Sequence, residues 1–281
     1  MKFPIDIFSY VWYSIQTSPQ KKDTGTNVEL KQIKALWPEK EGFHLIKAST
    51  GEEYVFLHMH TPAEFNINGK WIKTDKGACI LYDRYAYEEF RSESCPMLCD
   101  FFCFTGDLTE WMVRYHLSFG TVCYPQDDRY VTEIVRALER DFLRRADFHD
   151  DYAECRLQEL LIGLARSKNA QTSAGIDKET RERFFALRER VHGQFDASLS
   201  VDDMAASVGL SPSRFYCVYK EIFGISPKKD YLNVRIEHAK TLLRTGQYTV
   251  EQVAEAVGYN NPFHFIRQFK DAVGTTPGKF K

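Results

Sequence analysis

From residue 1 to about 106 the chain runs in short stretches rich in aromatic and β-branched residues, broken by polar clusters such as NINGK and KTDKGA. Short runs bounded by turn formers predict antiparallel strands joined by hairpins. From Asp107 the period lengthens: DLTEWMVRYH, DDRYVTEIVRALERDFLRRA and DFHDDYAECRLQELLIGLARSK space their apolar residues three and four apart. That spacing predicts two or three amphipathic helices after the sheet. Ser167–Ile176, SKNAQTSAGI, is small, polar and aperiodic, which predicts a linker; DKETRERFFALRERVHGQF and the rest of the chain read as helix. The expected fold class is α+β in two domains: an antiparallel β domain with trailing helices over 1–166, a linker over 167–176, and an all-α domain over 177–281.

The helical half contains an internal repeat. VDDMAASVGLSPSRFYCVYKEIFGISP (Val201–Pro227) aligns with VEQVAEAVGYNNPFHFIRQFKDAVGTTP (Val250–Pro277), with one extra residue in the second turn. Ala205 falls on Ala254, Gly209 on Gly258, Pro212 on Pro262, Phe215 on Phe265, Lys220 on Lys270 and Gly224 on Gly274. In each unit a short helix ends at a glycine suited to the left-handed position after its last turn. Ser211 or Asn261 then caps a second helix that has proline in its first turn. The buried face of the first such helix is expected to be Phe215, Val218, Tyr219 and Ile222; that of the second, Phe265, Phe269 and Ala272. Helix, glycine turn, helix is the outline of a helix-turn-helix, whose second helix lies in a DNA major groove.

Between the units, KKDYLNVRIEHAKTLLRTG keeps a helical period through Tyr231, Leu232, Val234, Ile236, Ala239, Leu242 and Leu243. About 17 residues at ~1.5 Å each make a rod of about 25 Å, suited to setting two reading helices near the ~34 Å repeat of one duplex turn. Double-stranded DNA, read in two successive major grooves, is the expected partner.

MAASVGLSPSRFYCVYKEIFGISPKKDYLNVRIEHAKTLL and VEQVAEAVGYNNPFHFIRQFKDAVGTTPGKF together resemble the AraC/XylS family of transcription regulators. The resemblance implies a sequence-specific DNA-binding protein, commonly dimeric, with a cupin-like N-terminal domain that senses a small molecule. It also implies that Ser213, Tyr216 and Cys217 match base-facing positions. Neither Ser213 nor Cys217 can make a bidentate contact, so the first reading helix reads bases weakly or through a thymine methyl, while Arg214 and Lys220 suit phosphates. In the second helix Phe263, His264 and Arg267 lie around the exposed side. Arg267, able to fork onto guanine O6 and N7, is the first choice for specificity, His264 the second, and Lys270 is assigned to phosphate. A phosphate contact or an internal carboxylate stays open for Arg267, and Arg235 on the joining helix is assigned to an internal ion pair.

Charge adds a little to this picture. Residues 181–281 carry 15 basic and 11 acidic residues, a net +4, which leaves −6 for the first 180. A mildly basic domain is compatible with nucleic acid without demanding it. Seven cysteines without framework spacing suggest reduced thiols and a cytoplasmic setting. MKFPIDIFSYVWYSIQ, interrupted by Pro4 and Asp6, reads as a strand rather than a secretory leader. No uncharged apolar run approaches the ~18 residues of a membrane span.

In the β region, HMHTPAEF offers His58, His60 and Glu64, an H-x-H-x3-E spacing that resembles the first metal motif of cupin enzymes. Alternation places His58 and His60 on one strand face, as two ligands in a barrel would be. Gly69 comes too early for that motif, however, and no second motif follows, so neither metal nor cofactor is expected. The three residues are carried forward as contacts for a small effector, a carbohydrate being one candidate. Trp12, Tyr13, Trp37, Tyr54, Trp71, Tyr82, Tyr85 and Tyr87 either stack on a sugar ring or form core. Cys95, Cys99 and Cys103 share a strand face and read as small buried hydrophobes. The stripes Tyr130, Ile134, Val135, Leu138, Phe142 and Cys155, Leu160, Leu161, Leu164 are the expected homodimer surface, with packing inside one chain as the alternative. Two other readings stay open: an N-terminal domain that only dimerises, and a metal-binding cupin enzyme fused to a DNA-binding module.

Overall fold

The computed structural model describes residues 27–47, 52–67, 69–92, 96–167, 175–193 and 199–280. The expected N-terminal strand, Trp12, Tyr13, Cys95 and most of the linker, 168–174, lie outside the described residues.

Two four-stranded antiparallel sheets form the first half. One has the order β1 (Glu29–Glu39), β8 (Met97–Thr105), β3 (Tyr54–Met59), β6 (Cys79–Tyr82); the other has β2 (His44–Lys47), β7 (Glu88–Arg91), β4 (Ala63–Ile67), β5 (Lys70–Thr74). Strand alternation sorts their side chains into two layers. Val55, Leu57 and Met59 of β3 and Cys99, Phe101 and Cys103 of β8 point between the sheets and meet Phe65 and Phe90. Their neighbours Tyr54, Phe56, Phe102 and Phe104 point the other way, under the helices. Cys99 and Cys103 are thus core thiols, and burial pushes both up to about 12.

The helix layer consists of α1 (Thr109–Arg114), α2 (Asp128–Arg144) and α3 (His149–Ala165). Asp127 caps α2 by accepting from the N–H groups of Arg129 and Tyr130. The two stripes expected to dimerise are largely consumed within the chain: Ile134, Val135 and Leu138 of α2, and Leu160, Leu161 and Leu164 of α3, are all buried in the layer against the first sheet. Burying an amphipathic helix on the outer face of a sheet uses the same apolar stripe that a partner subunit would need.

The C-terminal half comprises α4 (Lys178–Gly193), α5 (Val201–Ser207), α6 (Pro212–Phe223), α7 (Pro227–Thr245), α8 (Val250–Ala256) and α9 (Pro262–Val273), closed by a 3-10 turn at Pro277–Lys279. Capping boxes start the first helix of each unit, Ser200 with Asp203 on α5 and Thr249 with Gln252 on α8. At 19 residues α7 is about 28 Å long, slightly more than the sequence estimate. The two units differ in their cores. Phe184, Phe215, Val218 and Ile222 of the first belong to one continuous hydrophobic layer with Phe119, Leu117 and the β-domain helices. The second unit closes its own core from Ile236, Ala239, Leu243, Val253, Ala254, Phe265 and Phe269.

Candidate nucleic-acid interface and sensor surfaces

Each reading helix is set by the same local devices. Gly209 and Gly258 hold φ of +71° and +80° in the turns, conformations that a side chain would strain. Ser211 accepts from the Arg214 N–H, Asn261 accepts from the Phe263 N–H, and Pro212 and Pro262 occupy the first turn. These devices fix which face is buried. Phe215, Val218, Tyr219 and Ile222 go inward on α6, Phe265 and Phe269 on α9. Ala272 is only half-buried. All nine residues singled out for DNA are left exposed: Ser213, Arg214, Tyr216, Cys217 and Lys220 on α6, and Phe263, His264, Arg267 and Lys270 on α9. Phe263 is 82% exposed, which no packing role explains. Among the described residues the side chains of Arg214, Lys220, Arg267 and Lys270 make no hydrogen bond or ion pair, so the internal carboxylate considered for Arg267 has no counterpart there. Arg235 is half-buried, with the Gly258 carbonyl at 3.4 Å and the rings of Tyr231 and Tyr259 at 4.8 and 5.6 Å among its contacts.

A polar joint between the halves was not visible in the sequence. Arg188 of α4, buried, donates to Asp83 at 2.8 Å and to Asp230 of α7 at 2.7 Å. Tyr219 donates to Asp230 at 2.5 Å, and His192 lies 3.3 Å from the same carboxylate. Burial by itself would raise the Asp230 carboxyl, but the Arg188 and His192 charges outweigh it and hold the group well below the usual carboxylate range. Asn233 donates to the Tyr85 carbonyl at 3.2 Å, and the Phe119 N–H to the Ile222 carbonyl at 3.2 Å. Gly224, at φ +67°, lies so close to this seam that a Cβ there would come within 2.4 Å of the Phe119 oxygen. A cleft of about 110 Å³ opens along the same seam, lined among others by Asn66, Tyr82, Tyr87, Gly224 and Lys229. The Tyr82 hydroxyl and Asn66 Oδ1 are buried without a partner among the described residues.

His58, His60 and Glu64 do not form one group. His58 and His60 share a face as expected, but it is the helix-facing side of the sandwich, the side of Tyr54 and Phe56, and not the space between the sheets. There both point at Asp100 of β8: His58 Nδ1 and His60 Nε2 lie 2.9 and 2.8 Å from Asp100 Oδ2. Thr132 of α2 donates to that oxygen at 2.8 Å, and the Leu36 N–H to Asp100 Oδ1 at 2.7 Å. Glu64 lies on the outer face of the other sheet, paired with Arg91 at 2.7 Å and Lys73 at 3.4 Å, because its strand neighbours Ala63 and Phe65 occupy the inner face. Among the described residues His58, His60 and Asp100 are the set whose donor atoms lie close enough to hold a cation.

Comparison with known proteins bears on the repeat. Residues 204–281 match a family described as a helix-turn-helix domain. The chain is 25% identical over 125 residues to the Msm operon regulatory protein of Streptococcus mutans, 29% over 133 residues to the MmsAB operon regulatory protein of Pseudomonas aeruginosa, and 28% over 125 residues to the arabinose operon regulatory protein of Escherichia coli. Those matches cover 44–45% of this chain and 42% of each relative. The C-terminal region is therefore a helix-turn-helix domain of the AraC type. The fold of the chain as a whole is similar to that of ToxT from Vibrio cholerae, which it matches with a TM-score of 0.51 at 12% identity over 90% of this chain and 97% of that one. Among the described residues no helix is long and apolar enough to cross a membrane.

Proposed function

We propose that the protein is a sequence-specific, DNA-binding transcription regulator and not an enzyme, acting in the cytoplasm as a homodimer under control of a small effector. The observation that carries this reading is the repeated unit with two exposed reading helices, whose basic side chains have no partner among the described residues. Residues 177–281 bind the duplex, 1–166 sense and dimerise, and 167–176 join them. Arg267 reads a guanine, His264 and Phe263 flank it, and Ser213, Tyr216 and Cys217 face bases in the neighbouring groove. Arg214, Lys220 and Lys270 neutralise phosphates. Tyr130 and Cys155 of the two stripes, with Leu143, Phe148 and Tyr152 at the α2–α3 corner, are exposed and offered to a second copy. Selection from random duplexes, followed by footprinting, should return two protected major-groove patches about one turn, ~34 Å, apart. Failure to enrich any sequence over scrambled DNA would reject the reading.

The effector site is assigned to the seam cleft rather than to His58, His60 and Glu64, which the fold separates. An aromatic ring beside a hydroxyl and an amide oxygen that lack partners suits a hydroxylated molecule of the carbohydrate class, and about 110 Å³ admits one small molecule rather than a chain. Because the cleft is lined from both halves, a bound molecule favours one docking arrangement over another, which is the differential affinity that control requires. A thermal-shift screen across sugars should find a stabiliser whose effect Tyr82→Phe diminishes. An undiminished shift would place the effector elsewhere.

A further inference from the structure

The cluster under α2 has features that ordinary core packing does not account for. Asp100 is fully buried, and four groups converge on its carboxylate: the rings of His58 and His60, the Leu36 N–H and the Thr132 hydroxyl. Among the described residues no lysine or arginine pairs with this carboxylate. A buried carboxylate without a lysine or arginine partner is costly, and proteins balance such charges with a protonated neighbour or a metal. The fully buried imidazole of His58 leaves Nε2 without a partner among the described residues. Because Nδ1 is the nitrogen that faces Asp100, Nε2 lies on the opposite edge of the ring and is not one of the clustered atoms.

The backbone is also shaped around the group. Leu36 adopts a left-handed φ of +51° within the irregular stretch of β1 between Lys34 and Trp37, and so aims its N–H at Asp100 Oδ1. Strain of this kind persists where surrounding structure over-determines it, and a hydrogen bond to the second oxygen of a carboxylate is how metal-ligating carboxylates are commonly oriented. His58 Nδ1, His60 Nε2 and Asp100 Oδ2 all lie within 4.8 Å of one another. At metal–ligand distances of ~2.0–2.2 Å tetrahedral ligand atoms stand about 3.3–3.6 Å apart, so the 2.8 and 2.9 Å contacts must open by roughly half an ångström or slightly more to admit the ion. His60, with its side chain 14% exposed, provides the way in.

We propose that His58, His60 and Asp100 form a site for a divalent transition-metal ion of the zinc class on the helix-facing side of the sandwich, with Thr132 beside it. This set differs from the H-x-H-x3-E pattern, since its carboxylate comes from β8 and it lies outside the space between the sheets. An occupied site fastens α2 to the sheet through the Thr132 contact. It does not depend on the DNA-binding reading.

The test uses tag-free full-length protein, stripped with chelator, equilibrated with zinc chloride and desalted. The expected result is one zinc per chain by elemental analysis and a melting temperature that rises with zinc concentration. Cobalt(II) substitution should give the intense visible bands of a low-coordinate ion. His60→Gln, at the partly exposed ligand, should lose all three while keeping the wild-type circular dichroism spectrum, and Asp100→Asn should lose the cobalt bands. Folded wild-type protein that retains no zinc, melts independently of zinc and leaves cobalt with its aqueous spectrum would overturn the proposal and leave an imidazolium as the counter-charge of Asp100. Zinc retained equally by wild type and His60→Gln would overturn the assignment of the ligands.

Discussion

The two helix-turn-helix units share a sequence pattern but not an environment, and the contrast separates what a repeat preserves from what a neighbour imposes. In both, glycine turns, capped second helices and inward phenylalanines reproduce one local geometry. Only the first unit continues into the core of the β domain and meets it through buried Arg188. The reading face of α6 stays exposed despite this docking, so what docking constrains is the placement of the first unit, not access to it. The second unit, with its own core and its exposed Arg267, is free of that constraint. The contrast fits the proposal above, in which the first unit is positioned by the β domain and the second discriminates between sequences.

The strongest break in this comparison is Arg188→Met. It leaves the buried carboxylates of Asp83 and Asp230 without their cation, so denaturant unfolding should show a loss of about 3–5 kcal/mol. Next is the matched pair Gly224→Ala and Gly274→Ala. Both residues hold left-handed conformations, at +67° and +80°, so each substitution costs about 1–2 kcal/mol from the backbone. Only at Gly224 does the new Cβ also collide with Phe119, at 2.4 Å from its oxygen, whereas Gly274 has open space. Gly224→Ala should therefore be clearly the more destabilising and should undock the first unit, visible as new hydrogen exchange at the Phe119 amide. Equal costs would mean that the seam is not formed in solution.

Smaller still is the effect of pH. Asp230 lies below its ordinary carboxylate value when folded, so its contribution is complete above about pH 4 and fades as pH falls through that value toward the folded one. Stability at the seam should be flat from neutral pH down to about 5 and should decline only in acid. In Asp230→Asn that acid decline should shrink, and an unchanged acid limb would remove Asp230 from the account.

How much of this the sequence disclosed depended on the range of the interaction. The units, their turns and their exposed faces follow from glycine, proline and apolar spacing within some 30 residues, and every residue named for DNA lies on the surface. The joint does not, because Arg188 and Asp83 are 105 positions apart and neither has a local signature. Asp100 sits inside CPMLCDFFC among alternating cysteines and belongs to no motif. The available signal was a lone carboxylate in an apolar strand, on the face opposite Cys99, which must find partners if buried. Glu64 misled because an H-x-H-x3-E spacing matches a motif, whereas the turn between β3 and β4 carries Glu64 onto the other sheet. The apolar stripes of α2 and α3 misled for a related reason, since periodicity shows that a helix face is buried without naming what buries it.

The most direct test of the division between the units is a binding titration of Arg267→Ala and Lys270→Ala on the selected duplex and on a scrambled one at fixed salt. Arg267→Ala should cost about 1–3 kcal/mol on the selected site, little on the scrambled duplex, and relax preference at one base pair, while Lys270→Ala should weaken both duplexes alike. Equal losses on the two duplexes for Arg267→Ala would contradict the assignment of sequence reading to the second unit.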